Sequence, residues 1–475
     1  MLGIVVSRAD SASTHIAEHL LDLADWTETD DTARSDAEGG GSVYHAEGIE
    51  LRVFDDLHIY LDGADRAFDA DLDLLAFASR HAGDTGPLLS AHHTGNFGPA
   101  EYGGSNGAFA QAAPNAHKRA IEAFAEVAPP GYEVATECTH HGPTDLDVPS
   151  LFCELGSDEA QWNDPDGARA VAKGILALRG VDPERERTIA GFGGGHYANR
   201  FRRIVRETDW AVGHVGAAWS LDEMGSSAHN ERVLREAMDR SGARHALVDG
   251  RNPEVETTLD DLGYRVVSET WVRETSGVAL DSVASLEDRL TPVADGLRFG
   301  DVATEYGVDP DSAEAGDPSD LSDSGGDGSD DGGSTDPFAI TSLPASLLAE
   351  AQGIDAGEVY EAVAARTVAF ETTEGGTRVA GRVALSDRDA GDEREAIVDA
   401  LADVLAIKYD AVSRREGAAE IVARETAFDP ERARELGVQD GPQFGRLASG
   451  EAVEVDGREV APEEVHAERE RLFSY

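Results

Sequence analysis

Cysteine, lysine and long apolar runs are nearly missing from this sequence, and each absence closes a class of explanation. Two cysteines, Cys138 and Cys153, cannot build a disulfide framework and form no CxxC pair, so the chain reads as intracellular. Lysine occurs only at Lys118, Lys173 and Lys408, and 93 acidic residues against 40 Lys plus Arg leave a net charge of −53. No basic patch survives that balance. Ionic contacts to phosphate also weaken steeply as salt rises, so an electrostatic grip on nucleic acid is excluded. An RNA partner would have to be held locally, by stacking or by capture of a strand end. No apolar run reaches the roughly 20 residues of a membrane span, and Met1 leads straight into strand-like Leu2 to Val6 rather than a signal peptide. Acidic chains poor in aromatics can be disordered, but 40% of this one is hydrophobic, in clear strand and helix patterns. A folded protein of a very salty cytoplasm fits better, because a Debye length of ~3 Å in molar salt screens the self-repulsion.

At 475 residues the chain should hold two or three domains. Leu2 to Val6 has the all-apolar pattern of a strand buried on both faces. Ser7-Arg8 and a helix with Ile16, Leu20 and Leu23, capped by Ser11 or Ser13, follow it. Such a turn is a natural anion site. Thr27 to Ser42 reads as a solvent loop, with Ile49 to Phe54 and Leu57 to Leu61 as strands. Leu72 to Ser79 leads to Ser79-Arg80-His81, and Pro87 to Leu89 leads to Ser90-Ala91-His92-His93-Thr94-Gly95-Asn96. The glycine-rich Phe97 to Gln111 has the composition of a lid. Strands and helices continue to alternate as far as Val267, which predicts a three-layer α/β/α domain with a mixed sheet and ligand-binding groups at the carboxyl ends of strands. From about Ser276 the pattern loosens, and 309–336 is nearly all Asp, Ser and Gly. The expected division is a catalytic domain over 1–275, an acidic linker over 276–336, and a small α+β accessory domain over 337–475.

Four polar clusters end apolar runs in the first domain. They are the His92-His93 segment, Thr136-Glu137-Cys138-Thr139-His140-His141-Gly142-Pro143, Glu154-Leu155-Gly156-Ser157, and Gly191-Phe192-Gly193-Gly194-Gly195-His196-Tyr197. Neutral imidazole and carboxylate are what zinc takes in catalytic sites, with one position left open to water. No short signature such as HExxH is present, so the ligands would come from separate loops. Adjacent histidines on a strand point opposite ways, whereas on a turn both can converge. Thr139, Ser157 and Cys138 are alternative nucleophiles or orienting donors. The triple glycine before His196 allows close backbone approach to a ligand, as a phosphate cradle or oxyanion hole, but lacks the Lys-Ser/Thr of a P-loop.

In order and spacing, Ile4-Val5-Val6-Ser7-Arg8, Thr94-Gly95-Asn96 and the last three clusters together resemble the archaeal and plant type of D-aminoacyl-tRNA deacylase, over about Met1 to Trp271. That resemblance implies a fold similar to phosphorylase/hydrolase-like α/β/α enzymes and peptidyl-tRNA hydrolase. It also implies zinc-dependent hydrolysis of the ester between a D-amino acid and the tRNA 3′ end. The site expectation that follows has Glu137, Thr139 and His92 as catalytic residues. Substrate contacts come from Ser7, Arg8, Asn96, Gly193, Gly194 and Gly195. Ligands for one or two zinc ions are drawn from His93, His140, His141, Glu154 and His196. Leu436 to Leu447 and Val455 to Pro462 resemble a stretch of ribonuclease Z without its metal motifs, which suggests an accessory element for the acceptor end. A zinc amidohydrolase or peptidase acting on small substrates, and a non-enzymatic RNA-end or protein-binding module, are the competing readings. The expected protein is cytoplasmic and binds no membrane. With no protein partner legible, a monomer is the default.

Overall fold

The apolar run near Met1 is strand β1 (Leu2–Ser7), buried along its whole length between two parallel neighbours. The computed structural model describes residues 1–306, 337–415 and 417–475. The chain divides into two units, Met1–Ser276 and Gly277–Tyr475.

In the first unit β1 is followed by α1 (Ser11–Leu23), β2 (Thr27–Asp31), β3 (Gly41–Ala46), β4 (Ile49–Phe54), β5 (Leu74–Arg80), β6 (Leu88–His92), α2 (Pro114–Val127), β7 (Glu133–Thr136), β8 (Ser150–Gly156), α3 (Glu159–Trp162) and α4 (Pro165–Leu176). The eight strands form one mixed sheet in the order β2-β3-β4-β1-β5-β8-β6-β7. Helices α1, α2 and α4 pack together against it through Ile16, Leu20, Phe124 and Val171. Asp10, rather than Ser11 or Ser13, caps α1: its carboxylate accepts from the backbone N–H groups of Ala12 and Ser13. Two local expectations also change. Thr27–Asp31 is an exposed edge strand paired with β3, and the stretch expected as a strand at Leu57 to Leu61 is a 3₁₀ turn over His58–Tyr60.

A separate four-stranded parallel sheet carries β9 (Thr188–Gly193), α5 (Asn199–Glu207), β10 (Ala211–Gly216), α6 (Ala218–Met224), α7 (Glu231–Arg240), β11 (His245–Asp249), α8 (Pro253–Asp261), β12 (Arg265–Val266) and α9 (Glu269–Glu274), with strand order β10-β9-β11-β12. The chain leaving β7 joins the two sheets: Cys138 N–H donates to His196 O and Thr139 N–H to Val215 O.

Strand direction decides where the site lies. β5 and β8 are parallel, but β6 runs antiparallel to β8 and parallel to β7. The connection from β5 to β6 is too short for a parallel crossover, which needs a dozen residues or more. The polar clusters therefore do not meet along one edge of a parallel sheet. They meet on its face, where the two-residue period of strands puts Phe77 and Ser79 beside Phe152 and Glu154, and these beside His92 and Ser90.

In the second unit, α10 (Leu280–Arg289) and β13 (Leu297–Phe299) precede the segment outside the described residues. Beyond it come β14 (Phe338–Ser342), α11 (Ala345–Ile354), α12 (Ala356–Ala364), β15 (Ala369–Thr373), β16 (Arg378–Ser386) and α13 (Ala390–Leu405). These form an antiparallel sheet, β13-β15-β16-β14, over a helical core with Leu347, Val359, Val383 and Leu401 buried. Residues 276–306, read from the sequence as linker, are thus structured, because Val283, Leu286 and Leu297 bury an apolar face. The rest of the expected linker, 307–336, lies outside the described residues. The ribonuclease Z-like stretch folds as a short helix, α14 (Pro442–Ala448), and the hairpin of β17 (Val453–Val455) and β18 (Arg458–Val460), with Leu447, Val453 and Val460 in a small core of its own.

Candidate active site

A cavity of about 490 Å³ opens over the β5–β8 face, and His81, His140, His141, Glu154 and His196 line it. His92 ends β6 with its ring stacked on Phe152 (centroids 5.3 Å) and its Nδ1 3.1 Å from the carbonyl of His93. His140 Nδ1 lies 2.8 Å from Cys138 O, and His141 Nδ1 2.7 Å from Gly142 O. A carbonyl only accepts, so in all three rings Nδ1 carries the proton and Nε2 keeps its lone pair. One ligand nitrogen of each of the three lies within 4.8 Å of the others. His140 and His141 both turn inward because His141 adopts a left-handed backbone (φ 48°), which cancels the alternation that an extended chain would impose.

Beside this triad two carboxylates share histidines. His196 Nε2 donates to Glu137 Oε2 at 2.7 Å. His81 Nδ1 stands 3.2 Å from Glu137 Oε1 and 3.6 Å from Glu154 Oε2, and its Nε2 meets the Tyr197 hydroxyl at 3.1 Å. Gly156 makes the fit possible, since a Cβ there would lie 2.7 Å from the His81 side chain. Burial disfavours charge on His81, Glu137 and Glu154, but pairing outweighs it. His81 is raised to about 11 by Glu137 and Glu154 and is an imidazolium. Glu154 is lowered to about 2 by His81 and His92, and Glu137 is held well below the usual carboxylate range by His196 and His81. Glu154, 3.5 Å away, also raises His92 against its burial. Away from a carboxylate the sign reverses: burial lowers His141 to about 4 and keeps His140 well below its ordinary value.

The residues expected from sequence divide into those brought together and those turned away. Glu137, Glu154, His92, His140, His141 and His196 converge. His93 does not: it faces the opposite side of β6, donates through Nδ1 to Gly213 O, and sits among His117 and His214 (centroids 5.2 and 5.7 Å). Thr139 is no free nucleophile. Its hydroxyl accepts from Val215 N–H and donates to His214 Nδ1, each at 3.0 Å. Asn96 lines the cavity, but its amide nitrogen is committed to Gly103 O. Ser7 donates to Asp56 O, and Arg8 pairs with Asp36 and Asp55 at the surface; neither lines the cavity. Gly193 and Gly194 pack on Asp249 and steer β9 into the His196 turn, and with Gly195 they lie outside the cavity wall. Burial pushes the Cys138 thiol well up, so it is not a thiolate nucleophile. The glycine-rich segment after Asn96 is a fixed wall, not a loose lid: Gly142 N–H donates to Tyr102 O, and Ser105 N–H to Thr144 Oγ1. Sequence reasoning missed His81, whose only signal was its place just past a strand end. It also missed His58, buried against Asp10 and Phe152.

The donor set fits a metal. His92 Nε2 is buried without a hydrogen-bond partner among the described residues. Three imidazoles with backbone-anchored Nδ1 are the ligand set of an open zinc site. Cys138, His140 and His196, and His81, Glu137 and His196, are two further groupings of the same compactness.

Fold and cavity together define an α/β enzyme whose site can hold a metal among histidines and carboxylates. The family model for D-aminoacyl-tRNA deacylase matches residues 68–267. A D-aminoacyl-tRNA deacylase of Natronomonas pharaonis is 50% identical over 475 residues, covering all of both chains. One of Halorubrum lacusprofundi is 49% identical over all of this chain and 96% of its own, and one of Methanococcoides burtonii is 33% identical over 98% and 94%. A crystal structure of a conserved protein of unknown function, AF0625, superposes with a TM-score of 0.52 at 28% identity, covering 58% of this chain and 98% of that one. The chain belongs to the D-aminoacyl-tRNA deacylase family.

Proposed function

We propose that this enzyme hydrolyses the ester between a D-amino acid and the 3′ end of tRNA, with zinc held by His92, His140 and His141. The convergence of those three imidazoles in one tautomer, each anchored by its own backbone, carries the reading. Bound zinc would lower the pKa of a water and polarise the ester carbonyl.

The chain's own residues do the rest. His196 has its Nε2–H fixed on the Glu137 carboxylate, so Nδ1 is the basic nitrogen; it takes a weak bond from the Cys138 thiol at 3.5 Å, which the attacking water would replace as it gives up its proton. Glu137 is buried and touches no substrate; it orients His196 and stabilises the imidazolium that forms. His81, charged between Glu137 and Glu154, returns a proton to the departing ribose oxygen. The pinned wall from Phe97 to Tyr102 gives the cavity a fixed shape, so an L-side chain is rejected by clash. An RNA substrate and the acidic composition support a salt-rich cytoplasm as its compartment. Among the described residues no helix is long and apolar enough to cross a membrane.

Purified protein incubated with D-Tyr-tRNA and L-Tyr-tRNA in molar KCl should release tyrosine selectively from the D-ester. Equal release, or none, overturns the reading, and dialysed protein that holds no zinc overturns the metal assignment.

A further inference from the structure

Aromatic side chains are scarce in this chain, 5 Trp, 10 Tyr and 15 Phe, and most are covered. Among the described residues those left exposed are Tyr60 (58%), Tyr102 (65%) and Trp219 (42%), two of which line the active-site cavity while the third adjoins its lining in sequence. Trp219 and Tyr102 line it directly. Tyr60 follows His58 and Ile59, which line it too, and packs beside Gly103, where a Cβ would lie 3.3 Å from the Tyr60 ring. At the other end of the same wall, a Cβ on Gly98 would lie 3.0 Å from Glu223 on α6, the helix that carries Trp219. Helix, wall and 3₁₀ turn thus make one continuous surface, and the bond from Gly142 N–H to Tyr102 O holds its middle in place.

We infer that Trp219, Tyr102 and Tyr60 form a stacking platform for the unpaired terminal nucleotides of the RNA that carries the aminoacyl ester. The inference rests on the deacylase reading above. Charge at the mouth argues for bases rather than phosphates: Glu101 and Glu223 line it against one arginine, Arg80, whose guanidinium lies over the Trp162 ring at 5.1 Å. Phosphates would be repelled there, and in molar salt an ionic grip is screened in any case. A base presents a π-face whatever its sequence, and stacking on an aromatic side chain survives salt. With the ester over the histidine triad, the nucleotides that precede it have only the cavity mouth to cross.

The test uses the full-length zinc-loaded protein in molar KCl, with D-Tyr-tRNA and D-tyrosyl-adenosine as parallel substrates. Trp219→Ala and Tyr102→Ala should each raise KM for D-Tyr-tRNA about 5-fold or more and leave kcat nearly unchanged, and Tyr102→Phe should restore it. KM for D-tyrosyl-adenosine, which lacks the preceding nucleotides, should move least in Tyr60→Ala and Tyr102→Ala. An unchanged KM for D-Tyr-tRNA in the Trp219→Ala/Tyr102→Ala double variant, with active wild type, overturns the platform and leaves the deacylase reading standing. Inactive wild type overturns the deacylase reading instead. Binding of 5′-labelled uncharged tRNA by fluorescence anisotropy then decides the platform alone: weaker binding by the double variant supports it, and equal binding overturns it.

Discussion

His92 and His93 are neighbours in the chain and belong to different triads, and comparing the two triads shows what makes a histidine chemical. In the first, His92, His140 and His141 give their Nδ1 protons to carbonyls one or two residues away, so each ring is set by its own turn and Nε2 is left free of the backbone. In the second, His93, His117 and His214 reach Gly213 O, Ala91 O and Ala110 O, up to 120 residues away, and so stitch β6, α2 and β10 together. The second triad is fully buried, whereas in the first only His92 is, and His140 and His141 are half-buried at the cavity. A carboxylate also differs: Glu154 stands by His92, whereas the second triad has none, and burial, helped by the neighbouring His92, lowers His93 to about 4. A carboxylate beside His92 and a cavity beside His140 and His141 make a site; imidazoles enclosed by one another and by backbone carbonyls make packing.

Exchanging the fates of the two triads is the sharpest way to break this contrast. His140→Ala should cost at least about 100-fold in kcat, more than loss of an outer-shell partner, and should release zinc while the fold persists. His93→Ala should do the reverse, with zinc content and kcat retained and about 1–3 kcal/mol of stability lost in chemical denaturation. Zinc loss in the His93 variant would erase the distinction. Glu137→Gln keeps the shape but removes the charge that orients His196, so kcat should fall about 100-fold with zinc still bound. Acid should strike the packing triad, as it does His140 and His141, whose values burial also lowers. Its folded pKa values lie below the unfolded 6.5, so its contribution is fully present above pH 6.5 and is lost as pH falls towards the His93 value of about 4. Melting temperature against pH should therefore fall less steeply across that window in His93→Ala than in wild type. The smallest effect is expected of Thr139→Val, which strands Val215 N–H and His214 Nδ1: about 1 kcal/mol of stability, with little change in kcat.

Much of this was legible in the residues. Apolar runs such as Leu2 to Val6 announced buried strands, and the polar clusters after them contained the histidines and carboxylates that converge. Strand direction was not legible. Nothing in Leu88 to His92 says that it runs against β8, and only the short connection from β5 hinted at it. Backbone handedness was equally hidden: His140-His141 reads as a pair in which one ring must point away, until the left-handed turn at His141 lets both point in. Triple glycine drew attention as a ligand cradle because glycine permits close approach, yet here the approach is to Asp249. His81 went unnoticed because a lone histidine after a strand carries no pattern; its importance lies in two carboxylates that are distant in sequence.

Gly142 sits between His141 and the cavity wall, and any Cβ there would run into the backbone of Gly104. The strip that shapes the substrate pocket and the turn that presents His140 and His141 are therefore one mechanical part. A lineage that lengthened or shortened the strip to admit other side chains would shift the His140 and His141 rings in the same step. Substrate range in this scaffold is consequently hard to broaden by small changes: the residues that would be easiest to vary are coupled to the ones that can least afford to move.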